Sequence, residues 1–224
     1  MINILMTKSV DFSIFSKKYF FIQSYDFLSI KYSKLYKRPI LNNQLIFTSY
    51  NGVKGFLYNF EYCFFRKKIY VVGEKTFFFL KKHFPYCFFF QKDYVQDIIE
   101  EIIKTKSNQY YDWFCGNKNI FNQDINFFKE KNINRYEVYK TFLIPRKIKN
   151  LSDYHGIIFF SPSGVQSFFL NNKIENNTKT EIFAIGKTTA KFISNFLHKK
   201  IWIPKKPSLK EVFTLVKNFY DVYI

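Results

Sequence analysis

Arginine, glycine, proline, cysteine and histidine are all scarce in this 224-residue chain, which has only seven glycines, six prolines, three cysteines and three histidines. The cysteines, Cys63, Cys87 and Cys115, are far apart and none belongs to a CxxC or CxxH pair. They predict buried, reduced thiols, and they indicate neither a disulfide framework nor a zinc site. The histidines fit no metalloprotease or Ser/His/Asp pattern, so we expect no metal centre.

Long apolar runs are missing as well. Lys, Glu, Asn or His interrupts every Phe-rich stretch before it reaches the roughly 18 apolar residues that a membrane span requires. The first residues, MINILMTKSVDF, have no basic segment before their apolar burst and no small-residue cleavage site after it. We therefore expect a soluble protein that stays in the cytoplasm.

Basic residues are abundant, but almost all of them are lysine. The formal net charge is +18 and the pI is about 9.6, which favours an anionic partner. However, the enriched residues Lys, Phe, Tyr, Asn and Ile all have codons rich in A and T, so drift in base composition can produce much of this charge. A protein that reads nucleic acid by bidentate contacts more often keeps arginine, which occurs here only at Arg38, Arg66, Arg135 and Arg146. The charge is compatible with an anionic ligand and does not identify one.

The chain contains an internal repeat. LIFTSYNGVKGFL (Leu45–Leu57) and IIFFSPSGVQSFF (Ile157–Phe169) share six identical residues at an offset of 112. IYVVGEKTFFFL (Ile69–Leu80) and IFAIGKTTAKFI (Ile182–Ile193) are similar at an offset of 113. A repeat this long predicts two similar domains rather than a solenoid, whose period is about 20 to 50 residues.

Strand-like runs alternate with helical patterns, which predicts α/β architecture with parallel sheets. The clearest helix spans Asp93 to Ser107, with Asp93 as its expected N-cap. A similar helix follows Ser208, whose spacing to Glu211 is that of a capping box. A further helical stretch is predicted around Gln123–Lys131, and the segment from Ser9 to Tyr25 is too short and aromatic for a full first helix.

The two copies do not tile the chain evenly. A strand-like segment, Ile2–Thr7, and an extended segment, Tyr25–Tyr36, precede the first copy, and the alternating segment Asn134–Pro145 follows it. The extended segments predict paired crossings between domains, and the amino-terminal strand is expected to complete the sheet of the second copy. The predicted limits are 1–35 with 145–224 for a discontinuous α/β domain, 36–144 for the other domain, and linkers near 30–40 and 135–146.

Both repeated motifs lie where a strand is followed by a helix, the edge at which open parallel sheets bind ligands. Hydroxyl groups of Thr48 and Ser49 follow one strand, and Gly52 is expected to let the backbone approach a ligand. In VVGEKT and AIGKTT the glycine is expected to relieve the turn, while Thr76 or Thr189 caps the helix or donates to a bound anion. The alternative is that such hydroxyls are simple N-caps. No P-loop or GxGxxG motif is present.

Six segments occur in the order and at the approximate spacing found in the uroporphyrinogen-III synthase family, which the chain resembles from about Leu45 to its end. Single motifs are not specific, but the ordered set is. At the amino terminus ILMTKS has Lys8 where the family more usually has arginine. The segments are LIFTSYNGV, VVGEKT, EVYKT, IIFFSPSGV, AIGKTTAKFI and the final PSLKEV.

The resemblance implies two HemD-like, flavodoxin-like parallel-sheet domains joined by a two-stranded linker, one of them discontinuous, in a monomer. It implies a cofactor-free lyase that closes hydroxymethylbilane into uroporphyrinogen III, losing water and inverting the last pyrrole ring. The substrate bears eight carboxylates, which suit a basic cleft lined by helix amino termini. The enzyme must chiefly hold the substrate in the folded shape that directs ring closure.

Residue by residue, Tyr139 in EVYKT matches the family's linker tyrosine, which is proposed to assist departure of the hydroxyl group. Packing between linker strands is the alternative interpretation of Tyr139. The substrate-binding residues that the motifs imply are Thr48, Ser49, Gly73, Thr76, Ser161, Ser163, Gly164, Gly186, Thr188 and Thr189.

Two other functions compete with this interpretation. A two-domain protein of similar architecture could bind an anionic small molecule without converting it. A basic RNA- or DNA-binding protein with exposed aromatic residues would explain the charge and the Tyr and Phe content, but not the duplicated strand-end motifs. We therefore expect a small-molecule substrate and neither nucleic acid nor a membrane as partner.

Overall fold

The computed structural model describes residues 1–15, 17–60, 66–105, 109–117 and 131–220. Its contacts divide the chain into two compact units. The discontinuous unit comprises Met1–Ser29 and Phe142–Ile224, and the central unit comprises Ile30–Thr141. The chain therefore leaves the first unit, builds the second, and returns.

Strands and helices alternate through most of the described chain. The elements are β1 (Ile2–Met6), β2 (Phe20–Ser24), β3 (Leu28–Tyr32), β4 (Gln44–Phe47), α1 (Tyr50–Asn59), β5 (Lys68–Val72), α2 (Glu74–His83), β6 (Phe88–Lys92), α3 (Val95–Lys104), β7 (Tyr111–Gly116), β8 (Ile133–Leu143), β9 (Gly156–Phe159), α4 (Pro162–Phe169), β10 (Glu181–Ala184), α5 (Lys187–Ile193), β11 (Ile201–Trp202) and α6 (Leu209–Phe219).

Each unit has its own sheet, and the two sheets share one strand pattern. The order is β2-β1-β9-β10-β11 in the discontinuous unit and β8-β7-β4-β5-β6 in the central unit, with β3 added beside β8. Neighbouring strands pair in parallel in both sets. The predicted α/β class with parallel sheets is confirmed. The amino-terminal β1 thus stands in one sheet where β7 stands in the other.

The pairing of β3 with β8 differs from the rest. The Ser33 amide donates to the Val138 carbonyl at 3.0 Å, and the Ile144 amide donates to the Phe27 carbonyl at 2.9 Å. Residue numbers rise on one strand as they fall on the other, so these two strands are antiparallel.

Apolar residues bury both faces of each sheet. In the central unit, the core under α1 includes Phe47, Phe56 and Phe114, which are at most 1% exposed. The opposite core, under α3, includes Ile98 and Trp113. Because both faces are covered, the central strands β4 and β5 are nearly continuous apolar runs rather than alternating ones.

Helices α6 and α3 differ in how their amino termini are capped. The N-cap of α6 is Ser208, whose Oγ accepts a hydrogen bond from the Glu211 amide at 3.2 Å, as predicted. The prediction that Asp93 caps α3 is wrong: the cap residue is Tyr94, and its side chain makes no capping bond. Periodicity located this helix, but its first turn begins one residue too late for Asp93 to reach it.

The cysteines and two segments with helix predictions complete the comparison with the sequence. Cys115 is buried as predicted, but Cys87 is only half-buried. Cys63 and the helix predicted around 123–131, apart from Lys131, lie outside the described residues. No helix is present in the described residues between Ser9 and Tyr25, in agreement with the sequence.

The two equivalent glycines, Gly52 and Gly164, have different surroundings. A Cβ atom on Gly52 would lie 2.6 Å from the carbonyl oxygen of Phe114 on β7, so helix α1 packs directly on that strand. Gly52 is therefore required for this packing, and its expected approach to a ligand stays a prediction. A Cβ atom on Gly164 would have Ser161 Oγ as its nearest neighbour, at 3.3 Å.

We expect Gly52→Ala to lower the free energy of unfolding by about 1 to 3 kcal/mol, because backbone must move to admit the methyl group. Gly164→Ala should stay within about 1 kcal/mol of the parent, since helix propensity gained offsets a mild contact. Urea unfolding can be followed by ¹⁹F NMR of fluorotryptophan, because Trp113 lies in the central unit and Trp202 in the discontinuous unit. Equal losses in the two variants would contradict this packing difference.

Candidate functional site

The two serines of the repeated motif cap equivalent helices. Ser49 Oγ accepts a hydrogen bond from the Gly52 amide at 3.0 Å, at the start of α1. Ser161 Oγ accepts one from the Gly164 amide at 3.1 Å, at the start of α4. The capping interpretation is thus confirmed for both. A serine that accepts a bond in this way still has a hydroxyl hydrogen to donate.

Ser49 has a second partner that Ser161 does not share. Its Oγ lies 3.0 Å from the phenolic oxygen of Tyr139, on β8. Ser49 follows the carboxyl end of β4, and Tyr139 stands opposite Gly116 at the carboxyl end of the neighbouring β7. The structure therefore brings together two residues that sequence reasoning singled out separately.

A β-bulge in β8 makes this contact possible. Cys115 pairs with Glu137, but the next residue, Gly116, pairs with Tyr139, so Val138 is an extra residue on β8. Val138 packs into the core under α1, and Tyr139 packs against that same core. Regular alternation would have placed Tyr139 on the opposite face, where Ile133 lies. The bulge turns the phenol towards α1 and Ser49.

Gly116 leaves room for the tyrosine ring. A Cβ atom on Gly116 would lie 2.6 Å from Cε2 and Cζ of Tyr139 and 3.0 Å from its hydroxyl oxygen. Arg135 fixes this end of β7, since it donates from Nε to Cys115 Sγ and from Nη2 to the Gly116 carbonyl, both at 3.0 Å. The ring therefore occupies the space that a side chain at position 116 would need.

Burial raises the pKa of the Tyr139 hydroxyl above its ordinary value of about 10. The Ser49 hydrogen bond acts in the opposite direction and lowers this pKa, while Cys115 and Tyr32 add to the upward shift. The phenol is consequently protonated near neutral pH. It is a hydrogen-bond or proton donor whose anion Ser49 can stabilise.

Thr48 is not part of this contact. Its Oγ1 accepts a hydrogen bond from the indole nitrogen of Trp113 at 3.2 Å. Trp113 belongs to the core under α3, so Thr48 is turned to the other face of the sheet from Ser49.

In the discontinuous unit, Ser161, Ser163 and Gly164 lie at the carboxyl end of β9. Thr7 follows β1 and lies beside them: its Oγ1 donates to the Ile158 carbonyl at 3.0 Å and is 4.0 Å from a Cβ built on Gly164. The sequence did not single out Thr7, although Thr7 stands within the segment ILMTKS. It also did not single out Gly116, for which the signal was a glycine at the end of the strand YDWFCG.

The two Gly-x-x-Thr turns are similar in sequence but not in backbone conformation. Gly73 has φ 79°, which favours glycine, whereas Gly186 is extended, with φ −178°. At Gly186 the reason for glycine is space instead, because an added Cβ would lie 2.9 Å from the Cβ of Pro207. The prediction that glycine relieves the turn is confirmed at Gly73 and wrong at Gly186.

The threonines of these turns are not caps. The cap residues are Gly73 and Gly186, and Thr76 and Thr189 occupy the third position of α2 and α5. Both threonine side chains are buried, whereas that of Thr188 is exposed. Of these three hydroxyls, Thr188 is the one most accessible to a ligand.

Within the described ranges, no three His, Cys, Asp or Glu side chains are grouped to hold a metal ion. In the same part of the chain, no helix is long and apolar enough to cross a membrane.

Comparisons with known proteins point to one family. The sequence model described as uroporphyrinogen-III synthase HemD matches residues 34–214. A crystal structure of uroporphyrinogen-III synthetase from Helicobacter pylori 26695 is similar, with a TM-score of 0.67 and 18% sequence identity, and the match covers 98% of this chain and 100% of that one. At this identity the structural likeness shows the fold. No curated protein matches the chain.

The position of Tyr139 gives a spectroscopic prediction. In NMR of ¹³Cζ-tyrosine protein, the signal that disappears in Tyr139→Phe should titrate above the ordinary value of about 10. Ser49→Ala should raise this pKa further, because it removes the hydrogen bond that lowers it. Ser208→Ala is the matched control, since it removes a helix cap without a tyrosine partner. A Tyr139 signal with the ordinary pKa of about 10 in the parent, Ser49→Ala and Ser208→Ala proteins would contradict this geometry.

Proposed function

The chain belongs to the uroporphyrinogen-III synthase HemD family, and we propose that it is a hydro-lyase that cyclises hydroxymethylbilane to uroporphyrinogen III with inversion of ring D. The observation that carries this proposal is the protonated phenol of Tyr139, held 3.0 Å from Ser49 at the carboxyl edge of the central sheet. This is the edge at which parallel sheets bind ligands.

Tyr139 is the proposed proton donor. Its phenol gives a proton to the hydroxyl of the substrate's hydroxymethyl group, and the carbon–oxygen bond breaks with its electron pair leaving on water. The pyrrole nitrogen stabilises the resulting cation, which the substituted carbon of ring D attacks. The bond from this carbon to the methylene bridge of ring C then breaks, and the freed methylene group bonds to the unsubstituted α-carbon of ring D, which inverts the ring. That α-carbon loses its proton, which restores the phenol. The net loss is one water.

Ser49 is a positioning residue in this scheme. Its hydroxyl is bonded to the Tyr139 oxygen in the resting protein and can donate to the phenolate that forms when the proton leaves. A tyrosine with a raised pKa is a poor acid in isolation. A donor already in place reduces the cost of forming its anion without requiring solvent to reorganise.

The strand-to-helix turns are the proposed anchors for the carboxylates. Helix amino termini favour anions because their first amides and the helix dipole are positive there. The net charge of +18 would also attract a substrate with eight carboxylates. The proposed anchors, in addition to Ser49, are Thr48, Gly73, Thr76, Ser161, Ser163, Gly164, Gly186, Thr188 and Thr189.

Among these anchors the structure favours Ser161, Ser163 and Thr188, because their side chains are at least partly exposed. Thr76, Thr189 and Thr48 would need to act through backbone or after local rearrangement, since they are buried or bonded to Trp113. The monomeric state, the cytoplasmic location and the absence of nucleic acid and membrane partners stay predictions.

The decisive measurement supplies hydroxymethylbilane to the purified protein and separates the oxidised products by ring isomer. We expect the type III isomer, formed faster than spontaneous closure forms type I. Type I alone would overturn the proposal and leave a protein that binds an anionic molecule without converting it.

We expect Tyr139→Phe to lower the rate of type III formation by about 10²- to 10⁴-fold, the usual contribution of a positioned acid. Tyr136→Phe is the control, because it removes a phenol from the same strand at a residue that stacks on Phe114 in the core. Unchanged turnover in Tyr139→Phe would exclude the proposed role of the phenol.

The contact between Gly116 and the tyrosine ring gives a second activity prediction. Gly116→Ala should lower kcat by about tenfold or more with little change in KM, because the new methyl group displaces the ring. In a double-mutant cycle, Gly116→Ala should cost little more once Tyr139 is already phenylalanine. Additive losses would show that Gly116 acts on something other than Tyr139.

A further inference from the structure

A half-open cavity of about 520 Å³ lies in the discontinuous unit, beside β2. This volume is within the range of small-molecule sites, roughly 300 to 1,000 Å³. Gln23 on β2, Tyr25 just after it and Asn3 on β1 line one part of the cavity, and the segment 146–150 lines another. In the sheet order, β2 is an outermost strand of this unit. Its counterpart in the central unit is β8, which is not outermost because β3 pairs with it.

The cavity is strongly basic. Arg146, Lys147 and Lys149 all line it, against one carboxylate, that of Asp153. In the part of the chain that the structure describes, none of the three cations forms an ion pair: the salt bridges there are Lys140 with Glu137 and Lys173 with Glu175. Three neighbouring cations, with one carboxylate nearby and no ion pair to it, favour an external anion.

A buried amide fixes the basic segment. Asn172 is 6% exposed, and its Oδ1 accepts from the Ile148 amide at 2.8 Å while its Nδ2 donates to the Arg146 carbonyl at 2.7 Å. The same Nδ2 donates to the Phe168 carbonyl in α4 at 2.8 Å. The side chain of Ile148 is anchored in the core of this unit. The cations therefore project from a rigid backbone, which lowers the entropic cost of binding.

Arginine at this position is informative because the chain has only four arginines. Drift towards A- and T-rich codons replaces arginine with lysine. Two lysines follow this residue, at 147 and 149, but position 146 has kept arginine. The Nε of Arg146 donates to the Asp26 carbonyl at 3.1 Å, which orients the planar guanidinium. Such a fork matches carboxylate or phosphate groups in a way that lysine does not.

We propose that this cavity binds a small organic anion with two or more carboxylate or phosphate groups. Arg146 and Lys149 neutralise the anion, and Tyr25 packs against its carbon skeleton. Asn3 and Gln23 offer the amide hydrogens that remain beside their bonds to the Asp153 carbonyl and the Tyr154 hydroxyl. The site is separate from the proposed anchor Gly164: Asn3 on β1 precedes Thr7, which lies beside Gly164, by four residues, about 13 Å along a strand. Tyr139 belongs to the other unit.

The test titrates ¹⁵N-labelled protein with citrate and, separately, with pyrophosphate, each at constant ionic strength. The amides of Asn3, Gln23 and Ile148 should shift and saturate, and the tighter probe identifies carboxylate or phosphate as the preferred group. The double variant Arg146→Gln, Lys149→Gln should weaken binding at least tenfold. The control is the double variant Lys81→Gln, Lys82→Gln, which removes the same charge from exposed positions on α2 and should weaken binding of the probe less than twofold.

Three results would overturn the proposal. The first is no saturable binding of either probe. The second is equal weakening by the two double variants, which would indicate only non-specific attraction by a basic surface. The third is a tenfold rise in KM for hydroxymethylbilane in Arg146→Gln, Lys149→Gln, which would make the cavity part of the substrate site. Binding that persists in Tyr139→Phe would keep this result independent of the proposed catalytic function.

Discussion

The bulge at Val138 is the constraint on which the candidate site depends. It inserts one residue into β8, sends Val138 into the core under α1, and turns the next side chain, Tyr139, to that same face. The phenol then reaches Ser49 at 3.0 Å. Burial of an extra apolar side chain and placement of a polar one are thus two results of a single backbone irregularity, as is common for bulges beside functional sites.

Helix α1 and two glycines hold Tyr139 and Ser49 together. Helix α1 presents Ser49 as its N-cap, and Gly52 lets the helix rest on the Phe114 carbonyl of β7. Gly116, at the end of the same strand, lets the tyrosine ring lie against the backbone. Close approach at two glycines therefore sets the distance between the cap and the phenol, and both glycines contact β7 or belong to it.

The duplicated units use the same local solution for different results. Ser49 and Ser161 cap their helices at nearly equal distances, but a tyrosine stands beside only the first. The equivalent neighbourhood of Ser161 contains Thr7, whose hydroxyl bonds to a backbone carbonyl. Both units thus have a serine-capped helix at a strand end, and Tyr139 on β8 makes the one in the central unit the candidate for chemistry. The basic cavity beside β2 depends on a third feature, the buried Asn172, whose bonds match those of Asn59 in the central unit.

The sequence alone determined the α/β class, the repeat and the resemblance to the family, and it offered the serine caps as one of two interpretations, because these depend on local periodicity, capping and ordered motifs. It also singled out Tyr139 and Ser49, but as separate candidates. Only the tertiary structure decided that they touch, since one extra residue reverses the face of every later side chain on a strand, and periodicity assumes no such residue. For the same reason sequence grouped Thr48 with Ser49, although adjacent residues at a strand end point to opposite faces. Gly116 and Asn172 act through contacts with distant segments, which no local pattern records.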